Sequence, residues 1–177
     1  MKPIYFTLYL VVSNFNCFCQ SSSIINIDSI FINGEIPVST SKKIAENYFG
    51  KNLKKEIYEP GCGYFDQEGF YNVKFLLYKK NGVSYIVYKK IAEFDEVLFT
   101  KKNNNFLQIS KLKLNYLTTL KDLKKYFPKS YNVYRKEQKI NKQFIFRLKF
   151  DKKSDDSLII ELNDKNVLVR CSYFSPC

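Results

Sequence analysis

Apolar residues recur at every second position through most of this chain. The runs are Ile30-Phe31-Ile32, Phe70–Tyr78, Val83–Tyr88, Glu93–Thr100, Leu112-Lys113-Leu114, Gln143–Phe150, Ser157–Leu162 and Val167–Phe174. A period of two sends successive side chains to opposite faces of a strand, so each run predicts a β-strand. Two stretches repeat every three to four residues instead. Ile44 and Tyr48, with Ala45 and Phe49 beside them, share one side of a helix, and Leu120, Leu123 and Phe127 share one side of another. Ser39, Thr40 or Ser41 precedes the first helix and Thr118 or Thr119 the second, where a hydroxyl can accept from the first free amides. Gly50 and Pro128 end the helices, because neither residue continues one easily. Tyr131, Tyr134, Arg135, Lys136, Lys139 and Lys142 are expected in a loop or strand after the second helix. Asn81-Gly82 is a strong hairpin signal, because both residues accept positive φ. Asp151–Asp156 and Asn163–Asn166 supply further turns.

The order of these elements repeats. Ile30-Phe31-Ile32-Asn33 matches Leu112-Lys113-Leu114-Asn115, Thr40-Ser41 matches Thr118-Thr119, and Tyr48-Phe49-Gly50-Lys51 matches Tyr126-Phe127-Pro128-Lys129. The first copy carries four extra residues before its cap. Each copy reads β-α-β-β-β, over 20–105 and 106–177. One helix on half a sheet leaves too much apolar surface exposed to stand alone. The expected fold is therefore α+β: one continuous, mostly antiparallel sheet of about eight strands with two helices on one face, within a single globular unit.

This order resembles two small secreted families. One is the β-lactamase inhibitory protein type, built from tandem helix-plus-sheet repeats. The other is the small outer-membrane assembly lipoproteins, in which a capped helix ends near Phe-Gly before a hairpin. Thr40–Lys51 and Thr118–Lys129 carry the resemblance. It implies a concave sheet that grips a protein partner, and it carries over no individual functional residue. The basic second half departs from what the inhibitor type leads one to expect.

Met1–Cys19 has the layout of a secretory signal: Lys2, then the apolar Ile4–Val12, then the polar Ser13–Asn16, with Cys17 and Cys19 at the −3 and −1 positions of a cut before Gln20. The apolar run is too short to span a bilayer. A lipoprotein cysteine at either position would lack the usual Leu and small residues before it. A secreted or periplasmic location follows, in which disulfides can form. Cleavage leaves Cys62, Cys171 and Cys177. Cys171 lies in a period-two run and is expected to pack as a small hydrophobe. A Cys62–Cys177 bridge is then favoured, with Cys62–Cys171 as the competing pair. Closing a loop of about 115 residues would contribute on the order of 4–5 kcal/mol in the chain-entropy model.

Charge adds the most distinctive feature. The chain carries 29 Lys and Arg against 17 Asp and Glu, a formal net charge of +12. Residues 20–100 hold ten of each sign, whereas residues 101–150 hold fourteen cations and two acids, Asp122 and Glu137. Lys111 and Lys113 alternate with leucines and should share the solvent face of a strand; Lys121, Lys124 and Lys125 lie on one helix. Such a field attracts anions. Only Arg135, Arg147 and Arg170 are arginines, and Lys makes point contacts rather than forked ones. With an export signal, an acidic protein or an anionic envelope polymer is the expected partner ahead of nucleic acid. Tyr85 and Tyr88 are candidate interface residues, since Tyr supplies large area with few rotatable bonds.

Catalytic patterns are sparse. The chain has no His, which excludes Ser-His-Asp and Cys-His catalysis and His-ligated zinc. Asp155-Asp156 lack the alternating ligands and the Gly of a calcium loop, and Gly61-Cys62-Gly63 is too short to cradle phosphate. No metal and no cofactor is expected. Glu93 and Asp95, two apart on a strand, with Glu161 on a neighbouring strand, are the only carboxylates placed to suit a hydrolase. The reading is a secreted, monomeric, non-enzymatic binding or inhibitor-like module. A His-independent carboxylate hydrolase and a structural envelope protein are its rivals.

Overall fold

A computed structural model describes residues 23–50, 53–59, 73–141, 144–151 and 156–175. The signal-like segment Met1–Cys19, and both Cys62 and Cys177, lie outside these residues. In chain order the elements are β1 (Ile30–Ile32), β2 (Ile36–Pro37), β3 (Ser39–Ser41), α1 (Lys42–Phe49), β4 (Lys54–Tyr58), β5 (Phe75–Lys80), β6 (Val83–Tyr88) and β7 (Ile91–Leu98). Then follow β8 (Phe106–Ile109), β9 (Leu112–Asn115), α2 (Leu120–Tyr126), α3 (Pro128–Asn141), β10 (Ile145–Lys149), β11 (Ser157–Leu162) and β12 (Leu168–Phe174). The fold is α+β.

Eight strands form one antiparallel sheet in the order β10-β11-β12-β7-β6-β5-β4, with β3 also paired to β7. The two halves meet at β7 and β12 through Leu98↔Arg170, Val97↔Cys171 and Glu96↔Ser172. Outward from this seam the order is alike on both sides: β6 then β5, and β11 then β10. The other end of the same β7 edge, Ile91–Glu93, pairs with β3. Between the two partners Asp95 is an extra residue, because Ser84 faces Glu96 while Tyr85 faces Phe94. That β-bulge bends β7 where its edge changes partner.

Two expectations are corrected. The strands before the helices, Ile30–Ile32 and Leu112–Asn115, do not join the main sheet; they belong to a four-stranded sheet of order β2-β1-β8-β9. β8 lies one tight turn before β9 and buries Leu107 and Ile109 on the same period of two, so this hairpin closes locally and captures β1 along its free edge. The second correction concerns the residues after Phe127. They are neither loop nor strand but a third helix, α3. Pro128 opens it, a position where a missing amide costs nothing and a fixed φ is pre-set for the helix. Phe127, Tyr131 and Tyr134 are its inward stripe, at steps of four and three.

One cluster of buried side chains joins the main sheet, all three helices and the second sheet. Phe49 of α1 sits edge-on to Tyr78 and Tyr85, at 6.2 and 5.9 Å between ring centres. In the other half Phe127 and Tyr134 lie 6.4 and 6.0 Å from Phe146. Such pairs add about 0.5–1.5 kcal/mol beyond the area they bury. Strand β6 is buried along its whole length, because Val83, Tyr85 and Val87 face this core while Ile86 and Tyr88 join Phe75 and Leu77 on the opposite face. Cys171 is a free, buried thiol, as expected of a small hydrophobe. Burial pushes its pKa well up, which keeps it protonated and inert.

A polar node ties the two sheets together. Asn105, only 3% exposed, donates through Nδ2 to the carbonyls of Asn81 (2.8 Å) and Leu98 (3.1 Å). Its Oδ1 accepts from Asn33, whose own side chain also donates to Tyr48 Oη and accepts from the Phe106 amide. Asn105→Ala should therefore strand two carbonyls and lower stability by about 1–3 kcal/mol. Urea unfolding should show a lower midpoint at an unchanged slope; an unmoved midpoint would mean that the node contributes nothing.

Candidate functional site

The α2–α3 corner starts from a well-fixed cap. Thr119 is the N-cap: its hydroxyl accepts from the Asp122 amide, while Asp122 Oδ2 accepts from the Thr119 amide (2.9 Å) and hydroxyl (2.7 Å). The two reciprocal bonds form a capping box. They hold the Asp122 carboxyl below its ordinary value, with the Thr119 hydroxyl as the leading cause. Thr118 serves the preceding turn instead. It accepts from the Asn115 amide, its own amide returns to the Asn115 carbonyl, and Asn115 Oδ1 accepts from the Leu117 amide, each at 2.9 Å. The Leu120 amide reaches the Asn166 carbonyl and the Leu168 amide reaches Thr118, docking the corner onto the β11–β12 turn.

From this base α2 presents Lys121, Lys124 and Lys125. Lys124 Nζ lies 5.2 Å over the Tyr131 ring of α3, and Lys125 Nζ 5.6 Å over Tyr126. Along α3 the inward stripe of tyrosines leaves Lys129, Asn132, Arg135, Lys136 and Lys139 exposed at helical spacing. Lys129 and Lys139 stand about 15 Å apart along the axis, at 1.5 Å per residue. None of these six lysines, nor Arg135, forms an ion pair among the described residues. The α3 cations were legible as charge but not as a helix face. The steps from Phe127 to Tyr131 to Tyr134 were the signal that could have placed them.

The other expected binding residues divide. Lys113 is exposed on β9, its Nζ 4.5 Å over the Phe106 ring, whereas Lys111 sits in the β8–β9 turn rather than beside it on a strand. Tyr85 and Tyr88 are not surface residues. Tyr85 is 0% exposed and donates to the Pro37 carbonyl, and Tyr88 is 6% exposed on the opposite face against Phe75. Burial raises the pKa of both hydroxyls. A run buried on both faces looks in sequence like a strand with one free face, which is why these tyrosines read as exposed. Missed altogether were Leu117, 66% exposed, and Tyr126, 49% exposed. They flank a groove of about 240 Å³ between β9 and α2, which Lys113 and Asp122 also line.

The acids occupy the other side of the main sheet. Ala92, Phe94 and Val97 of β7 point into the core, and the bulge turns Glu93, Asp95 and Glu96 away from it. Asp95 accepts from the Ser84 hydroxyl at 2.7 Å. Arg170 of β12 bridges Glu96 and Glu161, so Glu161 lies one strand further from β7 than expected. Glu93 accepts from Tyr88. A hydrolytic pair needs one acid free to give or take a proton beside the other, and these acids are engaged by other side chains. A cleft of about 810 Å³ opens at the β5–β6 hairpin, where Lys54, Lys79 and Lys80 are largely offset by Glu56 and Glu96, with Lys79 and Glu56 paired at 2.7 Å. No group of three or more metal-type ligands gathers among the described residues, and none of their helices is long and apolar enough to cross a membrane.

No family model, no curated protein and no solved structure matches the chain. The chemistry of the corner itself thus carries the functional reading.

Thr119→Ala removes the cap and should cost about 0.5–2 kcal/mol at neutral pH. Because the bonds to Thr119 depress the folded-state pKa of Asp122, their contribution is present above its ordinary value of 3.8 and is lost as pH falls through the lower folded value. The gap in thermal unfolding between wild type and variant should therefore narrow below pH 3.8, leaving the part owed to the hydroxyl's bond from the Asp122 amide. A gap that stays constant into that range would assign the cost to the hydroxyl alone.

Proposed function

We propose that this protein is an exported, non-enzymatic binding module that engages an acidic protein or an anionic envelope polymer through the α2–α3 corner. One observation carries the reading. Seven exposed cations lie on two joined helices with no ion pair among the described residues, while the acids of β7 and β11 lie on the opposite face of the sheet. The molecule is therefore electrically two-sided as well as basic overall. Such a field steers anionic partners toward one face and orients them on arrival.

The element order supports the same reading. In proteins of the β-lactamase inhibitory type the likeness would place a partner against the sheet. Here Tyr85 and Tyr88 are buried, and the exposed cations shift the contact to the helices. Export rests on the layout of Met1–Cys19, and it favours envelope or extracellular anions over nucleic acid. Lysine heads on flexible stems suit a partner recognised by charge density rather than by forked hydrogen bonds.

Contacts of this kind weaken steeply with ionic strength, since exposed charges are screened over about 8–10 Å at physiological salt. The protein should be retained on immobilised poly-glutamate at low salt and released at moderate salt. The combined variant Lys121→Glu, Lys124→Glu and Lys125→Glu should bind at least tenfold more weakly with an unchanged unfolding temperature. Elution of wild type and variant at the same salt concentration would defeat the proposal.

A further inference from the structure

The geometry points to a specific kind of acidic partner, a protein segment that inserts one large apolar side chain into the groove between β9 and α2. This rests on the charge-driven reading above and adds an apolar anchor to it. Leu117 and Tyr126 stand exposed at the two sides of that groove. Large exposed side chains are common singly, but this pair lines one concavity with Lys113, and Lys125 lies over the ring of Tyr126. Tyrosine is among the residues enriched in binding hot spots, and Tyr126 supplies one at this edge.

The groove is held ready. Leu117 sits in a turn locked by three hydrogen bonds between Asn115, Leu117 and Thr118, each 2.9 Å long. A side chain held outward by a rigid turn loses little freedom on binding, so contact area there converts efficiently into affinity. Asp122, an acid among the lining residues, does not oppose an acidic partner freely. Its Oδ2 is turned onto the Thr119 amide and hydroxyl. A volume of about 240 Å³ holds one large side chain rather than a helix or a sugar ring system. A concavity of that size favours a protruding residue over a flat lipid surface, and its mixed lining, with Leu112, Leu114, Leu117 and Tyr126 beside polar side chains, favours a peptide over a uniformly charged polymer.

Two poly-glutamate peptides separate these possibilities, one with a central phenylalanine and one with alanine in its place, alongside vesicles rich in anionic phospholipid. The phenylalanine peptide should bind about tenfold or more tightly than the alanine peptide, the fold-change for burying one aromatic side chain. Leu117→Ser, at a solvent-exposed position, should unfold at the wild-type temperature and bring both peptides to the same affinity. Equal binding of the two peptides by wild type would overturn the anchor while leaving the electrostatic reading intact, provided the charge-reversed variant still loses both. Vesicle binding that depends on Leu117, without discrimination between the peptides, would assign the surface to a membrane and would equally overturn the proposal.

Discussion

Everything distinctive about this fold depends on three residue pairs between β7 and β12. Among the described residues they are the only ladder joining the two halves of the main sheet. Because an antiparallel ladder alternates its faces strictly, placing Val97 opposite Cys171 in the core forces Glu96 and Arg170 to the other side. All three helices then share one core, and the acids share the face away from it. A slip of one residue would put Arg170 among apolar side chains and Cys171 in the open, so the register is strongly specified. The bulge at Asp95 lets one edge serve both β3 and β12, and it turns a second consecutive acid outward.

The Arg170 network shows how the sheet side handles its charges. Glu96 and Glu161 come from strands on either side of β12, and Arg170 stands between them. The two acids favour the charged guanidinium and raise its pKa, with Glu161 the leading cause. At partial exposure such pairs contribute modestly to stability. Their larger effect is on the field: Arg170 offsets only one of the two acids it touches, so this network keeps a net negative charge. The sheet face is acidic on this side, whereas the helix corner, with few acids, is the reverse.

Much of this was readable from local pattern. Val83–Tyr88 and Ser157–Leu162 form strands with the boundaries that their alternation implied, and Asn81-Gly82 makes the turn, with φ of 50° and 77°. Where the pattern is carried by few residues it failed. Lys54–Tyr58 pairs through its backbone at a sheet edge with mostly exposed side chains, so it has no apolar alternation to read. In α3 the mostly polar residues between Phe127, Tyr131 and Tyr134 masked a helical period that only three aromatics carry. The second sheet was invisible for another reason: pairing between β1 and β8 is a contact across 75 to 79 residues, and no local signal chooses between that partner and an edge of the main sheet. For the same reason the lysines could be counted in sequence, but their gathering on one corner, and the exposure of Leu117 beside them, could not.

The contrast between the two sides also bears on whether the basic corner is mere solvation. Unpaired like charges on neighbouring helical turns repel, and a protein that needs only solubility reaches it with signs interspersed, as this chain does where Lys55 meets Glu46 and Lys79 meets Glu56. Part of the repulsion on the corner is offset by helix ends: Lys124 and Lys125 in the last turn of α2, and Lys139 in the last turn of α3, face the negative end of a helix dipole. Lys121, Lys129 and Lys136 have no such offset. They stand on a corner whose cap and turn are hydrogen-bonded and which is docked onto the β11–β12 turn through the Leu120 and Leu168 amides, so the charges are held on an ordered scaffold. A scaffold holding uncompensated charge beside exposed apolar side chains is the arrangement that a partner of the proposed kind would complete, because it would supply both the missing counter-charge and the missing apolar cover.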